Sequence, residues 1–174
     1  GVYFNAIDIL GAAGLTEADI YPQYQSFADS ADALKDGKID AAFIVAGAPT
    51  PAIHELTHTT DAYLVPISGT VASKLMKKSP YYTAYKIPAE TYKGQTEDVV
   101  TVAVKATLIV SASLAEEDVY NITKAIFDNV DAITVAHAKG AELSVKNATT
   151  GMTVPFHKGA ARYFAEKGVA VISK

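Results

Sequence analysis

Short apolar runs alternate with amphipathic segments along the first half of the chain. Residues 39–46 and 63–67 are nearly continuous apolar runs bounded by glycine, proline or polar residues, which is typical of central strands buried on both faces of a sheet. The segments around them place apolar residues at helical spacing, and residues such as Gly14 and Ser26 are suited to cap helices. Strands that alternate with helices in this way predict a parallel, doubly wound α/β sheet. Helices are expected over residues 3–13, 26–34, 52–57 and 71–76.

The pattern changes in the second half of the chain. A strand is predicted over residues 99–111, after the extended, tyrosine-rich segment 81–87 and the linker-like stretch 94–98, and a long amphipathic helix follows it. The remaining residues are mainly helical and contain too few strands for a sheet of their own. We therefore expect residues 1–98 to form most of one α/β lobe. Residues 99–174 are expected to contribute a hinge-crossing strand and helices to a second, incomplete lobe.

Composition and charge exclude several functions. The formal net charge is −4, the pI is about 5.5 and Arg162 is the only arginine, which argues against a nucleic-acid partner, because such binding requires phosphate neutralisation. The most apolar run is interrupted by Lys105 and is shorter than the roughly 18 residues of a membrane helix, so the chain is not expected to span a membrane. Cysteine is absent, which removes thiol catalysis, disulfides and zinc–thiolate sites.

The bend after residues 39–46 is the strongest candidate for a binding site. Ligands of open α/β sheets bind at the carboxyl ends of strands, and the free amides and dipole at a helix start favour anions. Prolines on either side of Thr50 supply no amide hydrogen, so the N–H groups of Gly47, Ala48 and Thr50 are the candidate donors. The alternative is a tight strand–helix turn without a ligand.

Three further side chains complete the candidate ligand contacts. Asn5 lies at the start of the first helix, where its amide either reaches a ligand or hydrogen-bonds within the first turn. Tyr3 lies beside it. Tyr92 belongs to a tyrosine-rich stretch, and tyrosine offers a flat apolar wall with one hydroxyl, which suits a ligand cleft. Packing within the protein is the competing explanation for each tyrosine.

Two of the histidines, His54 and His58, are candidate metal ligands. His54-Glu55-Leu56-Thr57-His58 matches the five-residue pattern His-Glu-x-x-His, which places two imidazoles and an acid on one helix. No plausible third ligand follows downstream, and the helix is short, so a zinc-dependent hydrolase is kept only as an alternative. No serine nucleophile elbow, phosphate-binding glycine loop or dinucleotide motif is present. We therefore expect no catalytic residue, no metal and no cofactor.

The chain resembles the TAXI family, the substrate-binding subunits of a class of TRAP transporters. The resemblance runs in order along nearly the whole chain, and its longest part is the segment from Ser26 to Phe43 that continues into the bend. The matching segments are 26–43, 45–53, 87–92, 101–104, 108–110, 119–125, 155–160 and 162–164. Asn5 corresponds to an asparagine of the family. Val2 stands where the family usually has threonine, so a hydroxyl contact is not expected there. Lys158 replaces a common proline of the family.

The resemblance implies a type II-like periplasmic binding protein with two lobes that close on a ligand. It further implies an extracytoplasmic, non-enzymatic protein that delivers glutamate, glutamine or a related dicarboxylate to a TRAP-type membrane permease. The chain corresponds to the later portion of such a protein, so most strands of one lobe are expected to lie upstream of Gly1. The chain opens without a signal peptide, as a mature or truncated secreted chain also would. The ligand-sensing domain of a transcription regulator, which shares this architecture, is a further alternative.

Overall fold

The computed structural model describes residues 1–174 and shows a mixed α/β protein. The chain forms two compact units, Gly1–Ala103 and Val104–Lys174. The helices of the first unit are α1 (Val2–Ala13), α2 (Phe27–Lys35), α3 (Pro51–Thr59) and α4 (Gly69–Lys78), with a 3₁₀ turn at Glu17–Asp19. Its strands are β1 (Tyr82–Ile87) and β2 (Val99–Val104). The helices of the second unit are α5 (Glu116–Asp128), α6 (Val130–Ala136), α7 (Val145–Thr149) and α8 (Lys158–Glu166), with a 3₁₀ turn at Ala138–Glu142.

Local residues account for three helix ends of the first unit, two of them at the predicted caps Gly14 and Ser26. α1 ends at Gly14, whose φ of 86° lies in the left-handed region that glycine adopts without strain. The hydroxyl of Ser26 accepts a hydrogen bond from the amide of Asp29 at 3.1 Å and so caps α2. Pro51 occupies the first turn of α3, where its missing N–H leaves no helical bond unmade.

Three packing contacts organise the first unit. α4 lies against α1 and β1, and it buries Ala72 and Leu75. α2 lies against α3, where Ala33 and Leu56 are buried. The contact between α2 and α3 matters for the site, because α3 is the helix that follows the bend.

The sheet is smaller than the sequence predicts. It has two strands, β1 and β2. The hydroxyl of Thr83 donates to the carbonyl of Ala103 at 3.4 Å, whereas Lys86 pairs with Asp98 at 2.7 Å. These contacts run in opposite directions along the two strands, as in an antiparallel pair. Residues 94–98 are part of the loop that joins them.

The α/β class is confirmed, but the doubly wound parallel sheet is not observed. Residues 39–46 and 63–67 form no strand. A single backbone bond, from Ile67 N–H to the carbonyl of Val100 at 3.0 Å, joins the second of these segments to β2. A strand is defined by its pairing with a neighbour, and an apolar run cannot supply that neighbour by itself. Tyr63 and Val65 are accordingly 82% and 78% exposed.

The predicted strand 99–111 and the helix after it are also shorter than expected. The strand stops at Val104, and residues 105–111 form no regular element. Leu108 and Ile109, which the prediction placed in a buried strand, are exposed. The amphipathic helix is divided at Asn129 into α5 and α6.

The second unit is built on the contact between α5 and α8. Gly159 allows their backbones to approach closely, since a Cβ at this position would lie 2.6 Å from the amide nitrogen of Tyr120. Tyr163 and Phe164 of α8 are buried. The ring of Tyr163 stacks on that of Phe127, and the ring of Phe164 meets Phe127 edge-on. No helix of either unit combines the length and the hydrophobicity that crossing a membrane demands.

Candidate functional site

The bend before α3 is fixed by a hydrogen bond from a distant part of the first unit. The amide of Thr50 donates to the hydroxyl of Tyr92 at 2.9 Å. The hydroxyl of Thr50 donates to the carbonyl of Gly47 at 3.0 Å, which closes the bend on itself. Thr50 and Tyr92 are only 8% and 3% exposed, so this junction is shielded from water. The peptide bond between Ala48 and Pro49 is cis.

The bend is open to solvent on its other side. Gly47 is exposed and Ala48 is half-buried, and neither amide makes a hydrogen bond within the protein. The amide of Thr50, by contrast, is already bonded to Tyr92. Of the three predicted donors, Gly47 and Ala48 therefore retain N–H groups for a ligand, and Thr50 acts through the shape of the bend.

A shallow cleft of about 490 Å³ lies beside Tyr92. Its lining consists of His54 and His58 from α3 and the loop of residues 90–96. The two imidazole rings lie one turn apart with centroids 4.5 Å from each other and planes tilted by 32°. The Nδ1 atom of His58 lies 2.8 Å from the carbonyl oxygen of His54, which leaves its Nε2 atom outside that contact.

The loop on the opposite side of the cleft is held by its own hydrogen bonds. The side-chain amide of Gln95 donates to the carbonyls of Pro88 at 2.8 Å and Glu97 at 3.0 Å. The amide of Glu90 donates to the carbonyl of Gln95 at 2.8 Å. Glu90 has a φ of 63°, a left-handed conformation that is uncommon for glutamate and persists only where its surroundings enforce it. The loop is thus a pre-formed wall.

Asn5 takes part in a hydrogen-bonded network between α1 and β1. Its side-chain amide donates to the hydroxyl of Tyr82 at 2.7 Å, and that hydroxyl donates to a carboxylate oxygen of Asp8 at 3.0 Å. Lys78 lies 3.7 Å from the other carboxylate oxygen. Burial and the bond to Asp8 raise the pKa of Tyr82, while the bond from Asn5 acts in the opposite direction. The bond of Asn5 is therefore to a distant strand and not within its own helical turn.

Tyr3 belongs to a separate surface group. Its hydroxyl donates to Glu17 at 2.9 Å, and the hydroxyl of Tyr24 donates to the other oxygen of the same carboxylate. These two bonds, that from Tyr24 first, lower the pKa of Glu17, and they raise the pKa of both phenols. The hydroxyl of Tyr3 is thus already engaged.

The six predicted ligand contacts fall into distinct groups. The bend and Tyr92 form one of them, which comprises Gly47, Ala48, Thr50 and Tyr92. Tyr3 and Asn5 make their hydrogen bonds elsewhere. Sequence reasoning missed the wall formed by residues 90–96, although the turn-forming Pro88 and Gly94 on either side of Tyr92 pointed to a loop there.

The His54–His58 segment is on a helix, as predicted, but it lacks the surroundings of a metal centre. No group of three or more histidine, aspartate or glutamate side chains is placed to hold a metal ion. The two rings contact each other with tilted planes, and His58 already contacts a backbone carbonyl. The segment therefore offers two imidazoles to the cleft and no third ligand.

An α/β scaffold with an open bend and a walled cleft is the arrangement of a small-molecule binding protein. Comparison with protein families agrees with this class, since the model of the NMT1-like family matches residues 1–168. The chain belongs to the NMT1-like family, a periplasmic-binding-protein-like family with a solute-binding role. Members of such solute-binding families are typically extracytoplasmic, and the family is not enzymatic.

Proposed function

We propose that the protein captures a small organic anion outside the cytoplasm and delivers it to a TRAP-type membrane permease. Glutamate, glutamine and related dicarboxylates are the ligand class. Membership of a solute-binding family over residues 1–168 is the observation that carries the proposal. The ordered resemblance to TAXI subunits, which includes the bend at Gly47–Pro51, supports the finer assignment.

The chemistry of the bend supports an anionic ligand. The amides of Gly47 and Ala48 are unbonded at the start of α3, where the helix dipole also favours negative charge. Tyr92 keeps the amide of Thr50 occupied and the bend in one shape, so these donors are arranged before a ligand arrives. A carboxylate therefore meets two pre-positioned N–H groups.

The two apolar segments that form no strand, residues 39–46 and 63–67, support a second part to the binding protein. Tyr63 and Val65 are exposed, and Phe43 and Val45 of the other extended run are partly exposed. An extended segment with exposed apolar side chains and free backbone N–H and C=O groups is complementary to a further β-strand. We propose that additional polypeptide completes a type II-like sheet here and supplies the facing wall, so that the ligand shifts an open–closed equilibrium.

The decisive experiment is calorimetry of the full-length mature protein against L-glutamate, L-glutamine and succinate, with putrescine as a dicationic control of similar length. Heat from at least one of the three carboxylate-bearing compounds, and none from putrescine, is the expected result. The absence of heat from all three compounds, or equal binding of putrescine, would overturn the capture of a carboxylate ligand. Uptake into vesicles that contain the permease, compared with vesicles that lack it, tests delivery separately.

A further inference from the structure

α3 presents two imidazole rings side by side on its exposed face. His54 and His58 are both exposed, whereas Leu56 between them is buried where α3 packs against α2. Residues four apart lie on one face of a helix, so the backbone itself sets the spacing of the two side chains. Because the packing of Leu56 holds the opposite face of the helix, this spacing is established before any ligand binds.

The separation of the two rings matches that of two neighbouring ligands on one metal ion. An imidazole nitrogen lies about 2.0 Å from a bound divalent ion, which puts the ring centroid roughly 3.2 Å from that ion. Two such rings at a right angle have centroids about 4.5 Å apart, whereas a tetrahedral angle separates them by roughly 5.2 Å. The observed distance between the centroids is 4.5 Å. It therefore matches the tetragonal geometry of Cu²⁺ and Ni²⁺ better than the tetrahedral geometry of Zn²⁺.

The hydrogen bonding of His58 also suits a metal ligand. Its Nδ1 atom lies 2.8 Å from the carbonyl oxygen of His54. A carbonyl oxygen can only accept, so Nδ1 carries the proton, and the lone pair of the neutral ring is on Nε2. Histidines that bind metals generally donate their other ring N–H to a carbonyl or carboxylate in this way. Nε2 of His58 is therefore the atom available to a metal ion.

Two protein ligands leave the remaining positions of an ion to water. Glu90 is the carboxylate of the cleft lining, and Glu55 lies between the histidines on α3. Neither completes a group of three side chains placed to hold a metal ion. The pair thus lacks the third ligand of a hydrolytic zinc centre, but an exchangeable ion does not need one. Such an ion differs from a structural ion, which is enclosed by four protein ligands.

We propose that His54 and His58 form an exchangeable chelate site for Cu²⁺ or Ni²⁺, separate from the anion-binding bend. The bend offers the backbone N–H groups of Gly47 and Ala48, which attract negative charge and cannot ligate a cation. Binding of the first imidazole raises the effective concentration of the second, so the pair should bind the ion roughly a hundredfold more tightly than one histidine does. A bound ion bridges one turn of α3 and should raise the unfolding temperature of the protein.

The experiment is calorimetry of the full-length mature protein with CuCl₂, NiCl₂ and MgCl₂ in the absence of any solute. The variants are H54Q, H58Q and H58Q/T59H, and the control is H137Q. H58Q/T59H keeps the number of histidines but moves the second ring off the face of His54, at a position that is also exposed. The affinity for Cu²⁺ should fall roughly a hundredfold in all three variants and remain unchanged in H137Q. Mg²⁺, which prefers oxygen ligands, should not bind.

The electron paramagnetic resonance spectrum of the Cu²⁺ complex provides a second measurement. It should show a tetragonal ion coupled to two nitrogen ligands, and the coupling to one of them should disappear in H58Q. Equal Cu²⁺ affinity of the wild-type protein and H58Q/T59H would overturn the chelate, because the ion would then bind through single side chains. Equal binding of Mg²⁺ would assign the site to carboxylates and overturn it as well. Because no solute is present, neither result bears on anion capture, and a failure of anion capture leaves the chelate intact.

Discussion

The hydroxyl of Tyr92 accepts the amide hydrogen of Thr50 across 42 residues of sequence, and both residues are buried. This bond joins the loop of residues 90–96 to the start of α3. It therefore fixes the shape of the bend and one side of the neighbouring cleft together.

Tyr92→Phe should destabilise the protein and weaken anion binding. The substitution keeps the ring but leaves the buried amide of Thr50 without an acceptor, which costs about 1–3 kcal/mol of unfolding free energy. Urea unfolding and calorimetry measure the two effects. Tyr21→Phe is the matched control, because Tyr21 is 98% exposed. Equal stability of Y92F and Y21F would show that the bond does not hold the bend.

Gly159→Ala should separate α5 from α8. A Cβ at this position meets backbone atoms of α5, including the amide nitrogen of Tyr120 at 2.6 Å, and backbone cannot move aside as a flexible side chain can. Overpacking of this kind costs about 1–3 kcal/mol, measured by urea unfolding. Gly11→Ala is the control, since no atom lies within 4 Å of a Cβ there and the change improves helix propensity. A neutral G159A would contradict the close approach of the helices.

Arg162→Lys should lower the unfolding temperature slightly, and more at low salt than at high salt. The guanidinium group bonds Glu116 at 3.2 Å and Glu117 at 2.7 Å, and it lies 3.9 Å from the ring centroid of Tyr120. Lysine keeps the positive charge, but its ammonium group can neither bond both carboxylates with the planar geometry of a guanidinium group nor stack on the ring of Tyr120. Thermal unfolding at two salt concentrations tests this. A loss that does not change with salt would assign the effect to packing.

The paired phenols at Glu17 should steepen acid destabilisation. Hydrogen bonds from Tyr24 and Tyr3 lower the pKa of Glu17 in the folded state. Their contribution is present above the unfolded pKa, which is about 4.3, and is lost as pH falls through the lower folded value. In Y3F/Y24F the pKa of Glu17 should rise toward its usual value in an NMR titration. An unchanged carboxyl titration would show that the two hydroxyls do not bond Glu17 in solution.

In the polypeptide of residues 1–174 by itself, Val65→Thr should reduce self-association without reducing stability. Val65 is 78% exposed in an extended apolar segment. Its side chain therefore contributes little to folding but enlarges an exposed apolar edge that favours association. Light scattering and urea unfolding measure the two properties. The matched change Val119→Thr should cost stability, because Val119 is 3% exposed in α5. A large loss of stability in V65T would mean that this segment is buried in solution.

Local sequence chemistry predicted the helices of the first unit well. Ser26 and Gly14 cap helices through backbone groups only a few residues away, and Pro51 suits the first turn of α3 by its own ring, so the sequence alone contains what these ends need. The sequence also predicted an extended segment over residues 81–87, which corresponds to β1. The division of the long helix at Asn129 was missed, since no proline or glycine marks it.

By itself the sequence determined the α/β class, the helix-starting bend at Gly47–Pro51, the spacing of His54 and His58 and the relationship to a solute-binding family. The tertiary structure alone decided that the apolar runs 39–46 and 63–67 form no strands and that Tyr92 is buried against Thr50 while Tyr21 faces water. Pairing and burial depend on residues far away in the chain. An apolar or aromatic residue looks the same in the sequence whether or not such a partner reaches it.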